Sequence, residues 1–238
     1  MNRDRELALQ TVYLLHSRPY RENSLLLNLL SKELGHISAI AHAGSSRKNS
    51  KRAQLQPFST LQVELKGKGS LPTLTQIEKA QLPLPLSRQF LYSGFYLNEL
   101  CVRLLPQDIS CEPLFSHYHQ ALLNLEQQAP IEPILRSFEF ALLEELGLGI
   151  DFSVLDDGHQ VQETSPQFWY YLPEQGLVAA DYDRNLNKLA TSHLLAIRDG
   201  NLQDPDVLLT CKTLMRQVFK PLLGHRPLQS RKLFAYSK

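Results

Sequence analysis

The stretch Ser45-Ser46-Arg47-Lys48-Asn49-Ser50-Lys51-Arg52 sets four cations within eight residues and offers no apolar side chain to anchor them. Such a loop can hold its charges against the phosphates of a polyanion, releasing counterions so that affinity falls steeply with salt. A solvated linker would have the same composition. Lys66-Gly67-Lys68-Gly69-Ser70 adds two cations beside glycines and a serine. It lacks the G-x-x-x-x-G-K-[ST] spacing of a phosphate cradle and reads as a cationic β-turn. In Arg18-Pro19-Tyr20-Arg21 an aromatic stands between two guanidinium groups, a pairing able to stack on an unpaired base. The bland alternative is a tyrosine that caps a core.

Bond-making chemistry finds less support. His117 and His119 are two residues apart, so on a helix their rings point to different faces and make a poor metal pair. Asp156-Asp157 and the pair Asp181, Asp183 could hold Mg²⁺, but both fall in polar, loop-like sequence where solvated carboxylates are commoner. Neither G-x-S-x-G nor H-E-x-x-H occurs. Cys101, Cys111 and Cys211 are an odd set without a C-x-x-C pair, which suits small buried hydrophobes in a reducing compartment better than disulfides or zinc. The expectation is a protein that is not an enzyme, with no cofactor, no bound metal and no small-molecule substrate.

The elements that must position these cations change character along the chain. The first 80 residues read as short β-rich runs: Thr11-Val12-Tyr13-Leu14-Leu15-His16-Ser17, then Ser24-Leu25-Leu26-Leu27-Asn28-Leu29-Leu30, Ile37-Ser38-Ala39-Ile40-Ala41 with partial alternation, Leu61-Gln62-Val63-Glu64-Leu65 with clean alternation and Leu74-Thr75-Gln76-Ile77-Glu78 with a less perfect one. Arg18-Pro19 is expected to end the first. Five such strands suit a small closed barrel of OB type, although strand count alone fits an SH3-like barrel equally. Leu82-Pro83-Leu84-Pro85-Leu86 interrupts both periods, because proline lacks the amide donor and restrains its predecessor. The expected class is α+β, with an OB-fold domain over residues 1–82 and a helical domain over 83–238. Helices are predicted at 90–105, 113–128, 132–146, 186–198 and 206–222, with a β-hairpin near 168–180 and a basic tail.

Charge follows the same division. Residues 1–80 carry 12 Lys/Arg against 6 Asp/Glu, residues 81–208 carry 6 against 18, and residues 209–238 carry 7 against none. Two basic ends around an acidic middle suit a polyanionic partner, nucleic acid first. On the third predicted helix, Ile134, Leu135, Phe138, Ala141, Leu142 and Leu146 form one apolar stripe, and Arg136, Phe140 and Leu143 fall opposite. An outward face of that kind suits a peptide bearing both an apolar anchor and a carboxylate. A sandwiched helix with Phe140 and Leu143 buried fits the same pattern. No apolar run approaches the roughly 20 residues that span a bilayer, and Met1 is followed by a charged string, so no membrane and a cytoplasmic location are expected.

Several motifs together resemble the RecO family of bacterial recombination mediators. They are Leu15-His16-Ser17-Arg18-Pro19-Tyr20-Arg21-Glu22, the basic loop followed by Leu55-Gln56-Pro57-Phe58, Leu91-Tyr92-Ser93-Gly94-x-Tyr96-x-Asn98-Glu99-Leu100, Glu132-Pro133-x-Leu135-Arg136-x-Phe138-Glu139, and Lys220-Pro221-x-Leu223-Gly224 with Pro227-Leu228-x-Ser230-Arg231. The resemblance runs from about Val12 to Phe234. It implies an OB barrel ahead of a helical bundle and binding to single- and double-stranded DNA. It further implies annealing of complementary strands, binding to RecR, docking on the acidic C-terminal tail of SSB, assistance to a RecA-type recombinase and association with the nucleoid. The implied DNA contacts are Arg18, Arg21, Arg47, Lys48, Lys51 and Arg52, to which the turn adds Lys66 and Lys68. The implied tail contact is Arg136, with Phe140 and Leu143 beside it. Some members carry a four-cysteine zinc motif after the third helix. Residues 150–167 hold no cysteine here, so zinc is not expected. An RNA-binding barrel and a Mg²⁺-dependent nuclease using Asp156, Asp157, Asp181 or Asp183 are the rivals.

Overall fold

Apolar side chains at every second position give strands one face of which can close on itself. The computed structural model describes residues 6–42, 51–67, 71–79, 81–155, 166–180 and 186–235. Strands β1 (Glu6–Tyr20), β2 (Ser24–Ser31), β3 (Gly35–His42), β4 (Thr60–Lys66) and β5 (Thr73–Lys79) form a closed barrel in the order β1-β2-β3-β5-β4, with the short helix α1 (Lys51–Gln54) between β3 and β4. The β3–β5 pairing is parallel and the others antiparallel. This is an OB-fold. Beyond it come α2 (Arg88–Leu104), α3 (Glu112–Glu126), α4 (Ile131–Glu145), a 3₁₀ turn (Ser153–Leu155), β6 (Phe168–Leu172), β7 (Gly176–Ala179), β8 (Leu189–Ala190), α5 (Thr191–Arg198), α6 (Pro205–Leu223) and α7 (Ser230–Ala235).

The first strand does not stop at Arg18-Pro19 as expected. It runs through to Tyr20, with Pro19 opposite Leu25. Pairing with β4 ends at Tyr13, so beyond that point β1 has β2 alone beside it. An amide missing from the free side breaks no ladder. Register shifts between Leu14 and His16, inserting Leu15 as an extra residue. Before the bulge, Val12 and Leu14 point into the barrel core with Leu27, Leu29, Ile37, Val63 and Leu74. After it, His16, Arg18 and Tyr20 lie opposite Asn28, Leu26 and Ser24, the partly exposed positions of β2, and so share the outer face.

Contacts divide the chain into two compact units, Met1–Ile131 with Leu228–Lys238, and Glu132–Pro227. The period of the sequence changes at Pro83 and Pro85, yet α2 and α3 group with the barrel. Tyr13 accounts for much of this. Its ring meets Phe115 at 5.4 Å and Tyr118 at 5.0 Å, its hydroxyl lies 2.5 Å from His119 Nδ1, and burial pushes its phenol up to about 12. Asn98 of α2 donates to the carbonyl of the bulge residue Leu15 at 2.9 Å and accepts from the Tyr118 hydroxyl at 2.5 Å. At the β2–β3 turn, Gly35 has φ +71° and a Cβ there would stand 1.8 Å from the Ile109 carbonyl oxygen, so only glycine allows the loop after α2 to approach. Next to it, buried His36 sets Nδ1 3.1 Å from the Leu105 carbonyl oxygen, which can only accept.

In the second unit the sheet order is β7-β6-β8. The expected hairpin is present, and residues 186–190, expected as helix, instead include β8, which pairs with Phe168 and Trp169. Trp169 Nε1 donates to Thr191 Oγ1 at 3.0 Å. Asp204 caps α6 by accepting from the Asp206 and Val207 amides. No helix among the described residues is long and apolar enough to cross a membrane.

Candidate nucleic-acid interface

Cross-strand registers build the outer face of the barrel from the residues upward. Arg18 pairs with Leu26, Leu26 with Ile40, Ile40 with Thr73, and Thr73 with Lys66. The alternate positions Leu27, Ala39, Leu74 and Leu65 are buried in the core, so the row from Arg18 to Lys66 stands on the outside. Five strands about 4.8 Å apart put its two cations about 19 Å apart along the sheet. The next row toward the hairpin tip holds Tyr20, Ser24 and His42, with Ser24 Oγ 3.0 Å from His42 Nδ1.

Arg18 and Arg21 are both exposed. Arg21 occupies the β1–β2 turn at φ +52°, with its guanidinium 5.2 Å from the centre of the Tyr20 ring. The tyrosine is thus paired with a cation at the surface rather than used as a core cap. Lys66 is exposed but lies 3.1 Å from Glu64 Oε1, and hydrogen bonds from Lys66 and Thr75 hold the Glu64 carboxyl below its ordinary value. Its charge is partly offset in place. Arg47, Lys48 and Lys68 lie outside the described residues, as do Asp156, Asp157, Asp181 and Asp183. Lys51 and Arg52 open α1, and only their backbone is described. The basic loop leaves β3 at His42, on the same row as Tyr20. Sequence reasoning missed His16, Ser24 and His42 as members of this face: the bulge at Leu15 resets the alternation of β1, and Ser24 and His42 join through cross-strand pairing.

Of the two readings of α4 that the sequence leaves open, an outward partner-peptide face and a sandwiched helix, the burial of its side chains fits the second. Arg136 is 5% exposed and Leu143 0%. Phe140 is half-buried, its ring 6.3 Å from that of Phe152. The Arg136 guanidinium pairs with Glu139 Oε1 at 2.9 Å, and its Nε is buried without a hydrogen-bond partner. On α6, burial pushes the Cys211 thiol up to about 12, and the charges of Arg136, Glu139 and Glu132 act on it. Nearby, Lys212 of α6 binds Glu132 at 2.6 Å. The helix is sandwiched, and its exposed middle positions are Ser137 and Glu144. Among the described residues, no group of three or more His, Cys, Asp or Glu could hold a metal ion.

Comparison with known proteins covers the whole of this architecture. Residues 6–82 match the family description "Recombination protein O N terminal" and residues 87–232 match "Recombination protein O C terminal". The chain is 45% identical over 229 residues to the DNA repair protein RecO of Cellvibrio japonicus, covering 95% of this chain and 96% of that protein. It is 41% identical over 233 residues to the DNA repair protein RecO of Pseudomonas aeruginosa, covering 97% and 96%. With the DNA repair protein RecO of Aliivibrio fischeri it shares 39% identity over 230 residues, 96% of each.

Proposed function

The chain belongs to the RecO family, and from that premise we propose that it serves DNA repair by binding single- and double-stranded DNA and annealing complementary strands. The observation that supports this is the exposed outer row of the barrel, where Arg18 and Lys66 flank apolar and hydroxyl side chains and Tyr20 with Arg21 stands at the tip. Cations there offset phosphate charge, and two strands held close repel each other less, so base pairing proceeds without the protein reading sequence. The work is physical rather than chemical and calls for no catalytic group or nucleotide. The four cations at residues 47–52, which follow β3 in the chain, support the same reading.

The family premise also proposes SSB and RecR as partners and the loading of a RecA-type recombinase as the outcome. For the acidic SSB tail, Arg136 offers no free cation, because its guanidinium is buried against Glu139. Phe140, half-buried, is the nearer contact for an apolar anchor.

An annealing assay with bare and SSB-coated complementary strands, run without nucleotide, tests the proposal. Faster pairing in both cases is expected, with binding that weakens as salt rises. Absence of DNA binding at low salt overturns it, and so does an RNA competitor that displaces DNA in preference.

A further inference from the structure

A pocket of about 390 Å³ opens beside the cationic row, between the bulge of β1, one face of α2 and α7. Its walls include Leu15, Phe95, Val102 and Leu233, and its rim carries His16 and Arg103, whose guanidinium lies 3.9 Å from the Glu99 carboxylate. The α7 wall is fixed in place. The Glu99 carboxylate accepts from the Gln229 and Ser230 amides, each at 2.8 Å, and from the Ser230 hydroxyl at 2.7 Å, and Phe234 meets Tyr92 edge-on at 5.5 Å. The bulge wall is fixed too, through the Asn98 bond to the Leu15 carbonyl. A preformed apolar slot with polar groups at its mouth is the usual form of a small-ligand site, and this volume lies within the range of such sites.

We propose that this pocket takes one unpaired nucleobase of the single strand bound along the barrel. The inference rests on the DNA-binding reading above and extends it from phosphates to a base. His16 at the mouth and Arg18 lie two residues apart on the same outer face of β1, a step of about 7 Å. A phosphate held at Arg18 therefore leaves its neighbouring base within reach of the opening. The ligand must present a flat apolar face to Phe95, Leu15 and Val102 and an anionic tether to the Arg18 side. A nucleotide has both. A base inside a duplex is stacked and paired and cannot enter, so the pocket favours single strands.

Two measurements test this on the full-length protein. In the first, oligo(dT) with a single 5-iodouracil is photocrosslinked to the wild type and the adduct mapped by mass spectrometry. Crosslinks to His16, Phe95 or Leu233 are expected, and crosslinks confined to other segments overturn the proposal. In the second, Val102→Phe fills the slot from the half-buried face of α2. Loss of one stacked base should lower the ratio of single-strand to duplex affinity about 5- to 100-fold. An unchanged ratio overturns the base pocket and leaves an apolar side chain of a protein partner as the occupant. If the wild type binds neither DNA form, it is the DNA-binding reading that fails, which this ratio keeps separate.

Discussion

Arg18 on the barrel and Arg136 on α4 were picked out by the same kind of signal, a cation next to apolar residues, and the fold puts them in opposite environments. Arg18 stands on the outer face of a strand that has a neighbour on one side only, and water keeps its charge solvated. Arg136 on α4 is buried, with one carboxylate at 2.9 Å and an unbonded Nε. An arginine at an exposed strand end can meet a ligand at little cost to folding. A buried arginine must be held by the fold before it can do anything else, because an uncompensated charge out of water costs several kcal/mol.

The comparison breaks most readily at Arg136. Arg136→Ala removes the cation paired with the buried Glu139 carboxylate and should cost about 3–5 kcal/mol in urea unfolding, whereas the double change Arg136→Met with Glu139→Leu should recover most of the loss. A single change that costs under about 1 kcal/mol would show that the pair is solvated after all. Gly35→Ala comes next. It combines a positive φ with a Cβ against the Ile109 carbonyl and should cost at least about 2 kcal/mol, read as a fall in Tm. Arg18→Ala should leave stability within about 0.5 kcal/mol and reduce the salt slope of DNA binding by about 1. An unaltered slope would remove Arg18 from the interface.

The smallest effect concerns pH. Burial lowers the pKa of His36 from its ordinary 6.5, with the Leu105 carbonyl and Asp108 acting the other way. The unfolded chain therefore takes up this proton first as pH falls. The stability owed to the neutral ring is fully present above about 6.5 and is lost as pH drops toward the folded value. Wild type should lose more stability than His36→Gln between about pH 7 and about pH 5 in paired denaturation curves. Parallel curves would mean that the ring is solvated.

Much of this architecture was legible in order along the chain. Alternation in β4 and β5 and the apolar stripe of α4 are local patterns set by the periods 2 and 3.6, and their elements appear within a few residues of expectation. Elements that depend on a distant partner were not legible. β8 is two residues long and exists because Phe168 and Trp169 pair with it, and the α7 helix starts where the Glu99 carboxylate, about 130 residues away, caps its amides. The bulge at Leu15 likewise needs Asn28 and Asn98 to define it.

By itself the sequence determined the succession of strands and helices, the basic ends around an acidic middle, and the family to which the motifs point, because each is carried by residue order and local period. Tertiary structure alone decided which arginines are available. Exposure is a property of what packs against a face, and neither the burial of Arg136 nor the bulge that turns His16, Arg18 and Tyr20 outward can be seen from neighbouring residues.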